Sequence, residues 1–159
     1  MPGDKHAILT PLIGDWDAEM RVFTGPGADP IVSTDLMATR EWFLGGRYVE
    51  ENLSGSFAGN PSARLAIIGY NDLEEGFELA TFDTFEPGFM IYQGQADGET
   101  ISVEGTSIEA GFGPRSTGRY RDLRFDLTIE GERSVQRIFV QYPGEEEFLF
   151  VEQIFTPAS

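Results

Sequence analysis

The sequence predicts an all-β chain of about ten antiparallel strands in an up-and-down barrel, preceded by a short helix. Two observations carry this. Turn-forming clusters recur roughly every 8–14 residues: GPGADP at 25–30, GG at 45–46, GNP at 59–61, NDLEEG at 71–76, EPG at 86–88, DG at 97–98, GFGP at 111–114, EGE at 130–132 and PGEEE at 143–147, with β-rich runs between them. No stretch stands out as a linker and no repeat of roughly 20–50 residues appears, so residues 1–159 read as one domain. Antiparallel strands joined by short turns can close on themselves, which removes exposed edges. A barrel of that size is too wide for its own side chains to fill and tends to hold a cavity. A two-sheet β-sandwich is the competing arrangement.

The helix comes first. Asp4 is placed to cap a short turn through KHAILTPL, which Pro11 and Gly14 end, so that Ala7, Ile8 and Leu12 plug one barrel end. Ten strands follow, over 15–23, 33–44, 47–56, 63–70, 77–84, 89–96, 99–107, 116–129, 132–142 and 147–156. Trp16 reads as core closing a barrel end. His6, the single histidine, reads as an exposed helix residue.

Composition narrows the functions. Asp and Glu number 27 against 11 Lys and Arg, a net charge of −16. Such a chain is repelled by phosphate backbones and anionic membrane surfaces, so neither nucleic acid nor membrane is expected as a partner. There is no cysteine, which excludes disulfides, thiolate metal sites and cysteine nucleophiles. The N-terminal stretch MPGDKHAILTPLIGDW has no long apolar run, and the expectation is a cytoplasmic protein.

The hairpin EWFLGGRYVE at 41–50 fixes a register. Gly45-Gly46 suits a two-residue turn with positive φ at both positions. Leu44 then faces Arg47, Trp42 faces Val49, Arg40 faces Glu51 and Ala38 faces Leu53 on one side of the ladder. The other side opposes Glu41 to Glu50, which is tolerable only in water, so the first side points inward. The C-terminal hairpin reads similarly: across a PGEE loop Tyr142 faces Glu147, Phe139 faces Phe150, Arg137 faces Glu152 and Val135 faces Ile154. This register is weaker, because both faces are apolar. Each Arg–Glu pair is either a self-neutralising buried ion pair or the polar part of an otherwise apolar ligand cavity.

Other candidates are less specific. Asp83 in LATFDTF shares a strand face with Leu79 and Thr81 and is either a third interior carboxylate or a solvated turn residue. Tyr70 and Tyr92 are placed to offer hydroxyls to a cavity, although strand tyrosines more often pack with the hydroxyl at the surface. A single histidine gives little basis for a histidine metal site or a Ser-His-Asp triad. GFGPRSTG at 111–118 lies between strands and reads as a loop, not a dinucleotide fingerprint. EEE at 145–147 reads as a solvated turn.

One resemblance spans most of the chain. The order Leu12, Gly14, Trp16, then GPG at 25–27, the run R-x-W-x-x-G-G-R-Y from Arg40 to Tyr48, Glu51 with Gly55, I-G-Y at 68–70, and Asp83 resembles the bacterial domain of unknown function 1579. The match is densest over 40–70 and loose in the last third. It implies a lipocalin-like (calycin) barrel, similar in shape to nitrobindin-type haem proteins, and carries no established activity. The family often has Trp two positions before the Asp, where Thr81 stands here. Nitrobindin-like proteins hold haem iron through a late-strand histidine, and no histidine follows position 6, so the resemblance implies no haem and no cofactor is expected.

Three functions follow. The first is binding of a small, largely apolar molecule by a cavity that Arg40, Trp42, Glu51, Asp83, Tyr70, Tyr92, Arg137 and Glu152 line, with Arg40 holding a polar group of the ligand. The second is an enzyme of cyclase or isomerase type, with Glu51 or Asp83 as acid or base, which requires a carboxyl pKa raised by burial. The third is a structural module or homodimer joined through exposed strand faces.

Overall fold

The computed structural model describes residues 2–86, 88–108 and 118–159. Ten strands follow one another: β1 (Gly14–Val22), β2 (Ile31–Phe43), β3 (Tyr48–Phe57), β4 (Asn60–Asn71), β5 (Gly76–Asp83), β6 (Met90–Asp97), β7 (Thr100–Ile108), β8 (Tyr120–Glu130), β9 (Arg133–Gln141) and β10 (Phe148–Pro157). Each pairs antiparallel with its chain neighbour, and β1 pairs with β10 to close a ten-stranded, lipocalin-like barrel. The sandwich alternative is therefore excluded. The expected strands are all present. The expected start of the eighth at 116 and most of the GFGPRSTG loop lie outside the described residues, as does position 87 of the EPG turn.

Alternation decides which residues enter the barrel. On β3, Val49, Glu51 and Leu53 are buried, and on β4 Arg64, Ala66 and Ile68 are buried. Between β2 and β3 the register is the expected one, with Phe43 on Tyr48, Trp42 on Val49, Arg40 on Glu51 and Glu41 on Glu50. The turn differs in form. The ladder stops at Phe43 and Tyr48, and Leu44, Gly45 and Gly46 all take positive φ (49°, 71° and 84°). Residues 44–47 thus form a four-residue loop instead of a two-residue turn. Because the extra residue on each side is symmetric, the pairing beneath is unchanged.

The N-terminal plug is shorter and turns differently from the expectation. Helix α1 (Asp4–Ala7) starts from Gly3, whose N–H donates to His6 Nδ1 at 3.1 Å. A 3₁₀ turn, Thr10–Leu12, follows with Pro11 inside it. Tighter turns bring residues three apart onto one face. Accordingly His6, Leu9 and Leu12 are buried at 1%, 0% and 2% exposure. Ala7 is exposed. Two expectations are corrected by this: Ala7 is not part of the plug, and His6 is not at the surface.

The interior has two apolar regions. One, below the plug, joins Leu9 and Leu12 to Val49, Ile68, Leu79 and Leu127. The other joins Trp16, Leu36, Leu53, Phe57, Val151 and Phe155 along β1–β3 and β10. Trp16 is core, as expected, and its Nε1 donates to the Leu12 carbonyl at 2.9 Å, tying the plug to the wall.

Candidate functional site

Charged and polar side chains meet inside this apolar barrel. Arg40 from β2, Glu51 from β3 and Arg64 from β4 are 1%, 4% and 6% exposed. Glu51 is on the rung opposite Arg40, and Arg64 is opposite Leu53, one inward step further along. The Glu51 carboxylate therefore sits between two guanidiniums. Arg40 Nε donates to Oε2 at 2.8 Å and Arg64 Nη2 to Oε1 at 2.5 Å. β9 closes the group from across the barrel: Gln136 Nε2 donates to Glu51 Oε2 at 3.0 Å, Arg64 Nη2 donates to Gln136 Oε1 at 2.7 Å, and Arg40 Nη1 donates to Ser134 Oγ at 2.7 Å. The Arg40 guanidinium also lies over the Phe155 ring at 4.0 Å and near Trp16 at 5.1 Å, attractive geometries for a desolvated cation.

Burial pushes the Glu51 carboxyl up, but Arg64 and then Arg40 overcome it and hold the carboxyl at about 2. Glu51 is thus an ionised acceptor with both oxygens engaged. An acid–base role requires the reverse shift. Beside Arg40 and Gln136 a void of about 20 Å³ is just large enough for a water molecule.

A larger cavity of about 100 Å³ lies beyond Arg64. Its wall is mostly apolar, including Leu53, Phe57, Leu123, Phe125, Ile138 and Val151. Arg64, Arg121, Tyr92, Thr81 and Gln153 supply its buried polar groups. Asp83, Phe85 and Glu86 are the partly exposed part of its lining, where Phe85 packs edge-on against Phe57 and the buried Arg121 Nη2 donates to Glu86 Oε1 at 2.7 Å. Burial pushes the Tyr92 hydroxyl up to about 12, against the lowering effects of Thr81 and of the Arg121 and Arg64 charges, so it stays protonated.

The residues singled out in the sequence separate into five places. Arg40 and Glu51 are in the interior polar group, though Arg40 borders the small void and not the larger cavity. Tyr92 and Asp83 line the cavity, and the Asp83 carboxylate accepts the Phe85 N–H at 2.8 Å, so it is a turn residue at the mouth. Tyr70 is near the plug, packed against His6 and Phe77 with ring centroids 6.0 and 5.1 Å away. Trp42 is not interior: it is 39% exposed. β1 begins at Gly14, opposite Arg40, so β2 runs past the closed wall there and Trp42 has only β3 beside it.

Arg137 and Glu152 also leave the site. They share a rung as expected, and Arg137 Nε donates to Glu152 Oε2 at 2.8 Å. Their neighbours Gln136 and Gln153 take the inward positions, which turns Arg137 and Glu152 to the outer face beside Arg21. A bulge between Leu149 and Val151 adds one residue near the loop, so Phe139 pairs with Leu149 and not with Phe150.

Sequence reasoning missed Arg64, Arg121, Gln136 and Gln153. The alternation of Arg64 with Ala66 and Ile68 was a usable signal, because it places the arginine on the core face of a strand. Gln136 and Gln153 carried no comparable signal, since each sits beside a charged residue that reads as the polar one.

A haem does not suit this interior. The cavity is about 100 Å³ and its wall has no histidine; His6 is in the plug with Nδ1 accepting the Gly3 N–H. Among the described residues no group of three or more His, Asp or Glu is placed to hold a metal ion, and no helix is long and apolar enough to cross a membrane. Comparison with curated proteins gives no match. The model of the family described as "Protein of unknown function (DUF1579)" matches residues 1–155. Spanning that match with a closed ten-stranded barrel, the chain belongs to the DUF1579 family.

Proposed function

We propose that the barrel binds a small, largely apolar molecule in the cavity beyond Arg64. The observation that carries this is a mostly apolar space of about 100 Å³ that reaches a buried group of one carboxylate and two guanidiniums. Pockets for small molecules combine an apolar wall with a few placed polar groups. A cavity of ~150 Å³ accepts a benzene ring, and this one is about 100 Å³, so the occupant buries at most about one small ring. The enzyme reading is less favoured, since Glu51 is held as a carboxylate between two guanidiniums and Asp83 is engaged in its own turn.

Titration with cyclohexanemethanol, followed by backbone amide NMR shifts, tests the reading. Saturable shifts should centre on Leu53, Tyr92 and Val151. Val151→Phe places a ring in the same space. It should abolish those shifts while keeping the dispersed spectrum of a folded barrel. Equal shifts in wild type and Val151→Phe would refute the site.

A further inference from the structure

The cavity wall has donors without adequate acceptors. Arg64 lines the cavity, is 6% exposed, and its Nε has no partner. The Tyr92 hydroxyl donates to Met90 Sδ at 3.7 Å, and Gln153 Nε2 donates to Met20 Sδ at 3.3 Å. Thioether sulfur is a weak acceptor, so an incoming oxygen displaces either bond at small cost. Gln153 Oε1 is itself without a partner. A half-turn of that amide exchanges this acceptor for a donor, because the two orientations differ only in which end carries the hydrogens.

Charge points in the same direction. The interior group holds two guanidiniums, Arg40 and Arg64, against the single carboxylate of Glu51, and both Glu51 oxygens are already occupied. Asp83 stands on the rung opposite Arg64, but its carboxylate turns to the Phe85 N–H. Arg121, the other buried guanidinium of the cavity wall, is already answered by Glu86 and by Ser107 Oγ. Among the described residues one positive charge in the deep interior is therefore left unbalanced, and of the two guanidiniums only Arg64 lines the cavity.

We infer that the cavity selects a small organic carboxylate, with a ring-sized apolar body against Leu53, Phe125 and Val151, its carboxylate on Arg64 Nε, and the Tyr92 hydroxyl as a second donor. This rests on the cavity being the binding site proposed above. Charge-assisted hydrogen bonds are about twice as strong as neutral ones, and here the alternative is a buried donor left unsatisfied. The net charge of −16 repels an anion at long range. The preference is therefore a contact effect, and added salt speeds association by screening that repulsion.

Calorimetric titration of the whole protein at pH 7 with cyclohexanecarboxylate and its primary amide, cyclohexanecarboxamide, tests the inference. The amide is the sharper rival, since it also offers a donor to Gln153 Oε1. The carboxylate should bind at least tenfold more tightly. Arg64→Met should bring the two within about twofold of each other, chiefly by weakening the carboxylate, with circular dichroism confirming the barrel. If that variant does not fold, the wild-type comparison alone decides. Equal or tighter amide binding in wild type overturns the carboxylate inference and leaves the cavity reading standing, as does a carboxylate preference that survives Arg64→Met. If neither compound binds, the cavity reading falls and the inference with it.

Discussion

Two hairpins of this barrel put an arginine and a glutamate on the same rung, and the two pairs have opposite fates. Arg40 and Glu51 have side chains 1% and 6% exposed and face a second guanidinium, two polar side chains of β9 and two aromatic rings. Arg137 and Glu152 have side chains 35% and 14% exposed and share the outer wall with Arg21. The contact distance is the same, 2.8 Å in each. What differs is strand parity, and with it the dielectric around the pair. An ion pair in water is worth little because the high dielectric weakens its attraction and each ion stays hydrated without its partner. Inside the barrel each ion has lost its hydration, so its partner cannot be removed without leaving a bare charge.

The largest consequence is at Glu51. Glu51→Ala leaves Arg40 and Arg64 buried with no counter-charge, a change that typically costs about 3–5 kcal/mol. Glu152→Ala leaves Arg137 and Arg21 with access to solvent and should cost about 0–1 kcal/mol. Urea unfolding of the two variants measures the gap directly. Similar losses in both would mean that the interior group is hydrated and that the contrast between the hairpins is one of geometry alone.

Next comes pH. The Glu51 carboxyl is held at about 2, against 4.5 for a free glutamate. A depressed pKa in the folded state stabilises the fold above pH 4.5, and this contribution is lost as the pH falls from 4.5 through about 2. A difference of that size corresponds to about 3 kcal/mol. Other carboxylates titrate in the same window, so the readout is the difference between wild type and Glu51→Gln. Wild type should start more stable at pH 6 and converge on the variant toward pH 2. A constant difference over this range would show that Glu51 does not titrate as a buried partner of two cations.

This contrast also marks how much was legible in the sequence. Turn spacing was enough to place ten strands, and the opposed Glu41 and Glu50 were enough to turn Arg40 and Glu51 inward, because a pair of like charges tolerates only water. The C-terminal hairpin offered no such conflict. Its two faces look equally apolar, so the bulge at Phe150 and the inward glutamines had no counterpart in the pattern. Trp42 was placed correctly by parity and wrongly by depth: a strand can outrun the wall beside it, and the pairing pattern of β2 and β3 does not record where β1 begins. Arg64 joins Glu51 through the register of β4 on β3, and the cavity arises from how side chains of distant strands fail to fill the space, which no local window contains.

The smallest expected effect sharpens the comparison most. A double-mutant cycle on Arg137→Ala and Glu152→Ala should return a coupling below about 1 kcal/mol. Glu152 also accepts Arg21 Nη1 at 3.2 Å, so removing Arg137 leaves the carboxylate with one cation and lowers the apparent coupling further. Raising the salt to about 1 M shortens the screening length to ~3 Å, which should remove most of what remains. The corresponding comparison inside the barrel, Glu51→Gln against wild type at pH 7, should change little with the same salt, because ions do not reach the buried group. Equal salt sensitivity at the two sites would place water and ions around Arg40 and Arg64, and would remove the low-dielectric setting on which the interior charge imbalance depends.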